Sequence, residues 1–169
     1  MSQIPVIQMV KTESKGTLVI IVSFAAAMLM NVLPLPQVIN DFKPDWVALV
    51  LVYWVMAVPN RVGVFSGWIV GLFVDVLSGT LFGIHAMTFA LIAYLIQMTF
   101  HRLRLFPRWK QSINIAVVIG IQMLLALILR SLVQPVSASF IYWMPLVGAL
   151  LFWPWVFVIL RDVRRRFCK

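Results

Sequence analysis

Long apolar runs separated by short polar or proline-containing segments dominate this chain. A helix needs roughly 20 apolar residues to cross the hydrocarbon core of a bilayer. The pattern therefore predicts an all-α integral membrane protein, a bundle of about six transmembrane helices. The predicted spans are about Thr17–Leu35, Asp45–Val58, Val62–Leu81, Ile84–Phe100, Ser112–Val133 and Tyr142–Leu160.

The second run is only about half to two-thirds as long as a normal span, so its length leaves open whether it crosses fully. It either stands as a short steep helix or pairs with the third run as a hairpin closed at Pro59-Asn60-Arg61. Asp45 follows Pro44 and is predicted to be the N-cap of this helix, because its carboxylate can accept from free backbone N–H groups.

The chain divides into three segments without a soluble domain. Residues 1–16 are polar and are expected to be poorly ordered or to lie at the interface, residues 17–160 form the membrane domain, and residues 161–169 form a basic tail. The first apolar run follows two lysines, as in a signal peptide. It lacks a small-x-small cleavage pattern, so a retained span is predicted.

Composition and charge agree with this interpretation. The chain is 63% hydrophobic and 11% charged, which leaves too few polar residues to cover a soluble core. Its net charge is +9, from 14 Lys and Arg against 5 Asp and Glu. The basic residues stand at the ends of apolar runs, where they contact anionic lipids, so no nucleic-acid partner is expected.

Charge also predicts the orientation. If both termini are cytoplasmic, the outer side holds only Lys43 and Arg130, and the other Lys and Arg residues are inside. The positive-inside rule therefore predicts a multi-pass protein of the bacterial inner membrane with both termini in the cytoplasm. The predicted inner residues are Lys11, Lys15, Arg61, Arg102, Arg104, Arg108, Lys110, Arg161, Arg164, Arg165, Arg166 and Lys169.

Asp75 is the acidic residue placed in the interior of an apolar run, where a charge costs roughly 2.5–3.5 kcal/mol on insertion scales. Alternating helices bring His85 and Arg130 to a similar depth on the outer side. Two interpretations stay open: a buried Asp75–Arg130 pair that includes His85, or a hydrated Asp75 that caps the Ser78-Gly79 turn. Headgroup contact is favoured over pairing for Arg130.

Gly63, Gly67 and Gly71 follow one another at four-residue intervals, and Asp75 continues the same stripe. Small residues let two helix backbones approach closely. Because the carboxylate shares this face, the stripe predicts a packing seam inside the protein rather than a homodimer interface.

The sequence has no motif for catalysis or for a cofactor. It contains no phosphate-binding glycine loop, no HExxH, no GxSxG and no cluster of His or Cys, and its single cysteine is Cys168. We therefore predict that the chain is not an enzyme and that it has no cofactor, catalytic or metal site.

Several short motifs, taken in order, resemble a known family. Phe42-Lys-Pro-Asp-Trp46 and Pro59-Asn-Arg61 are followed by the segment Gly71–Gly83, which carries Asp75, Gly79 and Gly83, and later by Ala93-Tyr94-Leu95 and Trp153-Pro-Trp155. Their order and spacing resemble those of MreD, the rod shape-determining protein family of Gram-negative bacteria. Arg130 and residues 1–16 depart from that pattern.

The resemblance implies a non-catalytic inner-membrane scaffold of the elongation machinery that builds peptidoglycan. It implies binding to MreC, a protein with one membrane segment, and looser association with MreB, RodA and a penicillin-binding transpeptidase. The alternative from the residues alone is a small-molecule or lipid-linked precursor binding or transport subunit, whose pocket would be lined by Asp75, His85 and Arg130.

Overall fold

The computed structural model describes residues 5–34, 36, 40, 42–79, 83–103, 106–132 and 140–167. Within those ranges the chain forms six α-helices and a 3-10 turn, Phe140–Trp143, and contains no strand. The helices are α1 (Pro5–Val32), α2 (Trp46–Ala57), α3 (Val64–Ser78), α4 (Ile84–Leu103), α5 (Arg108–Ser131) and α6 (Met144–Phe167).

Each predicted run corresponds to one helix, and the main differences lie at the chain ends. Helix α1 begins at Pro5, so residues 5–16 are helical rather than poorly ordered. Helix α6 continues to Phe167 and includes most of the predicted basic tail. The physical reason is shared: Lys, Gln, Glu and Arg are good helix formers, so a helix continues past the end of its apolar run.

Helix α2 lies at the centre of the bundle. All ten residues from Val47 to Met56 are buried, and the helix packs against α1, α4 and α6. A helix that is apolar all round has to be surrounded either by protein or by lipid. The bundle surrounds α2 with protein.

The other five helices form a ring around α2. Helix α3 packs against α4, α4 packs against α5, and α5 packs against α6, and the α3–α4 contact is the most extensive. Helix α1 contacts both α6 and α3. The outward faces of the ring carry exposed apolar side chains such as Phe65, Val117 and Trp155. Such a surface suits lipid rather than water.

Helix lengths differ strongly across the bundle. Trp109–Ser131 and Phe140–Arg166 are long and apolar enough to cross a membrane, whereas the apolar parts of the other helices have only 10–17 residues. Helix α2, with its 12 residues, is about 18 Å long, well short of the roughly 30 Å hydrocarbon core. Groups of the protein itself meet both of its ends: Asp45 accepts from the first N–H groups, and Arg164 donates to Ala57 O.

The two ends of the bundle differ in charge. At one end, Arg164 Nη1 donates to Ala57 O at 3.2 Å, so the last turn of α6 covers the end of α2. We call this end, which carries Arg61, Lys110, Arg161 and Arg164, the basic end. The opposite end, the capping end, holds Asp45 and Asp75.

The glycine stripe forms the seam between α3 and α4. A Cβ at Gly67 would lie 2.9 Å from Phe89 O, and one at Gly71 would lie 2.5 Å from His85 O. A Cβ at Gly63 would meet the side chain of Gln97 at 2.7 Å. The three glycines of the stripe therefore face α4 of the same chain.

The seam makes a prediction about stability. Gly71→Ala forces the α3 and α4 backbones apart and should lower the free energy of unfolding by about 1–3 kcal/mol, the usual cost of overpacking. Gly120→Ala is the matched control, because its Cβ would meet only a Leu146 methyl at 3.4 Å. Thermal unfolding in detergent measures both variants, and equal melting temperatures would contradict the proposed seam.

Candidate functional site

The Asp75 carboxylate, which is fully buried, caps the start of helix α4. Its Oδ1 accepts from the backbone N–H of His85 at 3.0 Å, and its Oδ2 accepts from those of Gly83 at 2.9 Å and Ala86 at 3.3 Å. His85 Nδ1 lies 2.7 Å from Oδ1. Because a carboxylate accepts hydrogen bonds, Nδ1 carries the shared proton.

Two glycines bring this carboxylate to the next helix. Gly79 ends α3 in the left-handed conformation, with φ at 60°, and Gly83 has φ at 103° just before α4. Side chains other than glycine rarely adopt such angles. The chain can therefore turn back within a few residues and place the first N–H groups of α4 against Asp75.

The Asp75 carboxylate stabilises the start of α4 electrostatically. The first N–H groups of a helix lack partners within that helix, and the helix dipole makes this end attractive for an anion. Asp75 satisfies three of them and orients the His85 ring. Of the two interpretations left open by the sequence, the hydrated one is wrong, because the carboxylate is 0% exposed and caps the next helix.

Arg130 lies apart from this cluster. It lies in the last turn of α5, near Tyr142, whose hydroxyl donates to Met123 O at 3.0 Å. Among the described residues no ion pair joins Arg130 to Asp75, whereas His85 does contact the carboxylate. Of the three side chains grouped by predicted depth, the described contacts pair Asp75 with His85 and do not include Arg130.

Asp45 performs the same capping role for the central helix. Its Oδ1 accepts from Val47 N at 3.1 Å and Ala48 N at 3.2 Å, which confirms the predicted N-cap of α2. Asn31 Nδ2 donates to the same oxygen at 2.9 Å, and Asn31 Oδ1 accepts from Trp46 N at 3.1 Å. The start of α2 is thus fixed to the end of α1.

Sequence reasoning missed three residues around Asp45. Asn31 and Gln122 are polar residues within apolar runs, and that signal could have found them; Gln122 Nε2 lies 3.5 Å from Asp45 Oδ2. Gly148 has no such signal. A Cβ there would collide with Phe42 O, so the glycine lets the segment before α2 pack directly on α6.

Two concave surfaces lie outside these caps. An apolar groove of about 720 Å³ runs between α1 and α6, with Trp46 and Val50 of α2 at its base. A smaller pocket of about 550 Å³ opens at the basic end and includes Arg161 and Arg164. The described residues contain no cluster of His, Cys, Asp and Glu able to hold a metal ion.

The family model for the rod shape-determining protein MreD matches residues 12–163. The chain belongs to the MreD family. The rod shape-determining protein MreD of Haemophilus influenzae is 34% identical over 147 residues, which cover 85% of this chain and 88% of that protein. No solved structure matches.

Membership in the MreD family gives the chain a role in rod-shape determination, in a family of membrane proteins. The two long apolar helices agree with a membrane protein. Asp75, Gly79 and Gly83, which carried part of the MreD resemblance, act together in the structure. Gly79 ends α3, and Asp75 accepts from Gly83 N just before α4.

The cap predicts the cost of removing the charge. Asp75→Asn keeps the shape of the side chain but turns an N–H₂ toward backbone donors. Because hydrogen bonds to charged groups contribute about 1.5–3 kcal/mol each, the free energy of unfolding should fall by roughly 2–4 kcal/mol.

Asp162→Asn serves as control, because Asp162 is 55% exposed and should change stability by less than about 0.5 kcal/mol. Chemical unfolding of the purified variants in detergent checks both values. Equal stability of the two variants would show that Asp75 does not support α4.

Proposed function

We propose that this chain is a non-catalytic scaffold of the machinery that builds the lateral cell wall. In this proposal it binds the membrane segment of an MreC-like protein and thereby helps to localise peptidoglycan synthesis. MreB, RodA and a penicillin-binding transpeptidase would join the same assembly less directly. The observation that carries the proposal is the apolar groove between α1 and α6.

The groove has the properties of a helix-binding surface. Its lining is almost wholly apolar, and the α1 side presents the small residues Ser23, Ala26 and Ala27. In a membrane, small side chains let another helix approach closely, which strengthens van der Waals packing where the hydrophobic effect is absent. A bitopic partner offers one apolar helix, which suits a groove of this kind.

The polar interior supports a scaffold more than a transport subunit. Asp75 and Asp45 accept hydrogen bonds from backbone N–H groups at helix starts, and the His85 ring bonds to the Asp75 carboxylate. No ion pair between Arg130 and Asp75 is present among the described residues. A transport pocket needs polar groups that converge on a ligand. These side chains converge on the ends of helices instead.

We further propose that all six helices lie in the inner membrane and that both termini are cytoplasmic. The basic end of the bundle supports this orientation, because cytoplasmic faces carry an excess of Lys and Arg. It carries Arg61, Lys110, Arg161 and Arg164. Helix α2 would then run from mid-membrane depth to the cytoplasmic side.

The groove can be tested with neighbouring alanines. Ala26 lines the groove, whereas Ala25 is also exposed on α1 but lies outside it. Ala26→Trp should fill the groove and reduce co-purification of MreC at least tenfold. Cells that carry this variant should lose their rod shape and become round. Ala25→Trp should preserve both. Pull-down from native membranes and microscopy of complemented cells provide the measurements.

The groove proposal fails if both tryptophan variants retain MreC equally while expressing and inserting like the unmodified chain. If both lose it equally, the loss reflects general damage to α1 and the groove is not the site.

Orientation has its own test in reporter fusions. Alkaline phosphatase fused after Lys169 should be inactive, and the same enzyme fused after Leu132 should be active, because phosphatase folds only in the periplasm. Green fluorescent protein at the same two positions should give the inverse pattern. Active phosphatase at the carboxyl terminus would reverse the proposed orientation.

A further inference from the structure

The basic end contains a pocket that none of the predicted site residues line. It has a volume of about 550 Å³ and lies between the second half of α2, the start of α5 and the last turns of α6. Pockets of 300–1,000 Å³ are typical of small-ligand sites. Its lining combines two arginines with buried polar and aromatic side chains.

Arg161 and Arg164 stand three residues apart on α6 and therefore face the same side of that helix. Arg164 Nη1 donates to Ala57 O at 3.2 Å, which holds the guanidinium over the carbonyl end of α2. A cation is stabilised at that end of a helix dipole. The position of one positive charge in the pocket is thus fixed before any ligand binds.

Arg161 has unused hydrogen-bonding capacity. Its Nε is buried and has no hydrogen-bond acceptor among the described residues. The adjacent Asp162 carboxylate is 3.7 Å from Nε, which is too long for a hydrogen bond, and its side chain is 55% exposed. A buried donor left unsatisfied costs free energy, and a bound anion would remove that cost.

The rest of the lining favours an anion with an organic part. The described residues that line the pocket include no acid, and the buried Gln111 and Tyr53 add polar atoms to its wall. Met56, Phe106 and Phe157 supply an apolar wall. Helix α5, which begins between Phe106 and Gln111, has no side-chain cap at Pro107.

We propose that this pocket binds the phosphate group of an organic phosphate through Arg161 and Arg164. Guanidinium groups match phosphate oxygens in charge and geometry, and two of them on one face can hold a single phosphate. The apolar wall would accept the carbon part of the ligand. Two sources share this chemistry: the headgroup of an anionic phospholipid and a soluble phosphorylated compound. The site does not require that the groove bind MreC.

The test uses the full chain with a control of matched charge. Arg161→Gln/Arg164→Gln empties the pocket of both cations, and Arg165→Gln/Arg166→Gln removes two exposed arginines from the same helix. Native mass spectrometry of protein purified from phosphatidylglycerol-containing nanodiscs counts retained lipid. In parallel, glycerol phosphate is titrated into delipidated protein and binding is followed by thermal shift.

Removing each arginine should weaken phosphate binding roughly tenfold, so the pocket variant should bind about a hundredfold more weakly than the control variant. Lost retention of phosphatidylglycerol in the pocket variant alone identifies a lipid ligand. Saturable stabilisation by glycerol phosphate that is lost in the pocket variant, with equal lipid retention by both variants, identifies a soluble ligand.

Equal behaviour of the two double variants in both assays overturns the proposal, whether both lose binding or both keep it. Arg164 also supports the end of α2, so Arg161→Gln alone is the second variant. This variant keeps the Arg164–Ala57 hydrogen bond and should still weaken phosphate binding roughly tenfold. A stable Arg161→Gln protein with unchanged phosphate binding also overturns the proposal.

Discussion

Backbone N–H and C=O groups inside a membrane must find partners within the protein, and this requirement governs the architecture. Helices α2 and α4 both begin at sites that are at least partly buried, and the first N–H groups of each helix need partners there. One carboxylate meets each start: Asp45 for α2 and Asp75 for α4. The cost of burying two charges is offset by the bonds they accept, so the acids that look most suited to chemistry are committed to the fold.

The caps make the enclosed short helix possible. Asp45, which Asn31 holds in place, caps the first turn of α2, and Arg164 donates to the carbonyl of Ala57 at its end. Helix α2 can therefore be shorter than the bundle. Its ten buried residues then bring α1, α4 and α6 together around one core. Glycines complete the packing where backbones meet, at Gly71 against α4 and at Gly148 against the segment before α2. The surfaces left for function are therefore on the outside: the apolar groove and the basic-end pocket.

Much of this could be predicted from the sequence because it depends on local pattern. Apolar runs located the six described helices, the four-residue spacing of glycines indicated a packing face on α3 without naming its partner helix, and Pro44-Asp45 located a cap. The partner of Asp75 could not be predicted, because alternating spans give depth in the membrane but not the side that a residue faces. Depth alone grouped His85 and Arg130 with Asp75, and only His85 lies beside it.

Other features escaped prediction for the same reason. A helix that is apolar all round has the same sequence whether lipid or protein surrounds it, so the central position of α2 depends on the packing of the whole chain. From the sequence, Arg161 and Arg164 are interpreted as the start of a basic tail. The pocket could not be predicted, because its other walls come from α2 and the start of α5, which are distant in sequence. Gly148 has no neighbouring glycine at helical spacing, and its contact is with a loop.

The central claim is that protein, not lipid, encloses α2. Labelling with a carbene generated from a photoreactive phospholipid in nanodiscs, followed by peptide mass spectrometry, tests it directly. Outward residues such as Val117 and Trp155 should be modified, and residues 47–56 should remain unmodified. Labelling of residues 47–56 as strong as that of α5 and α6 would contradict the enclosed helix and the architecture built around it.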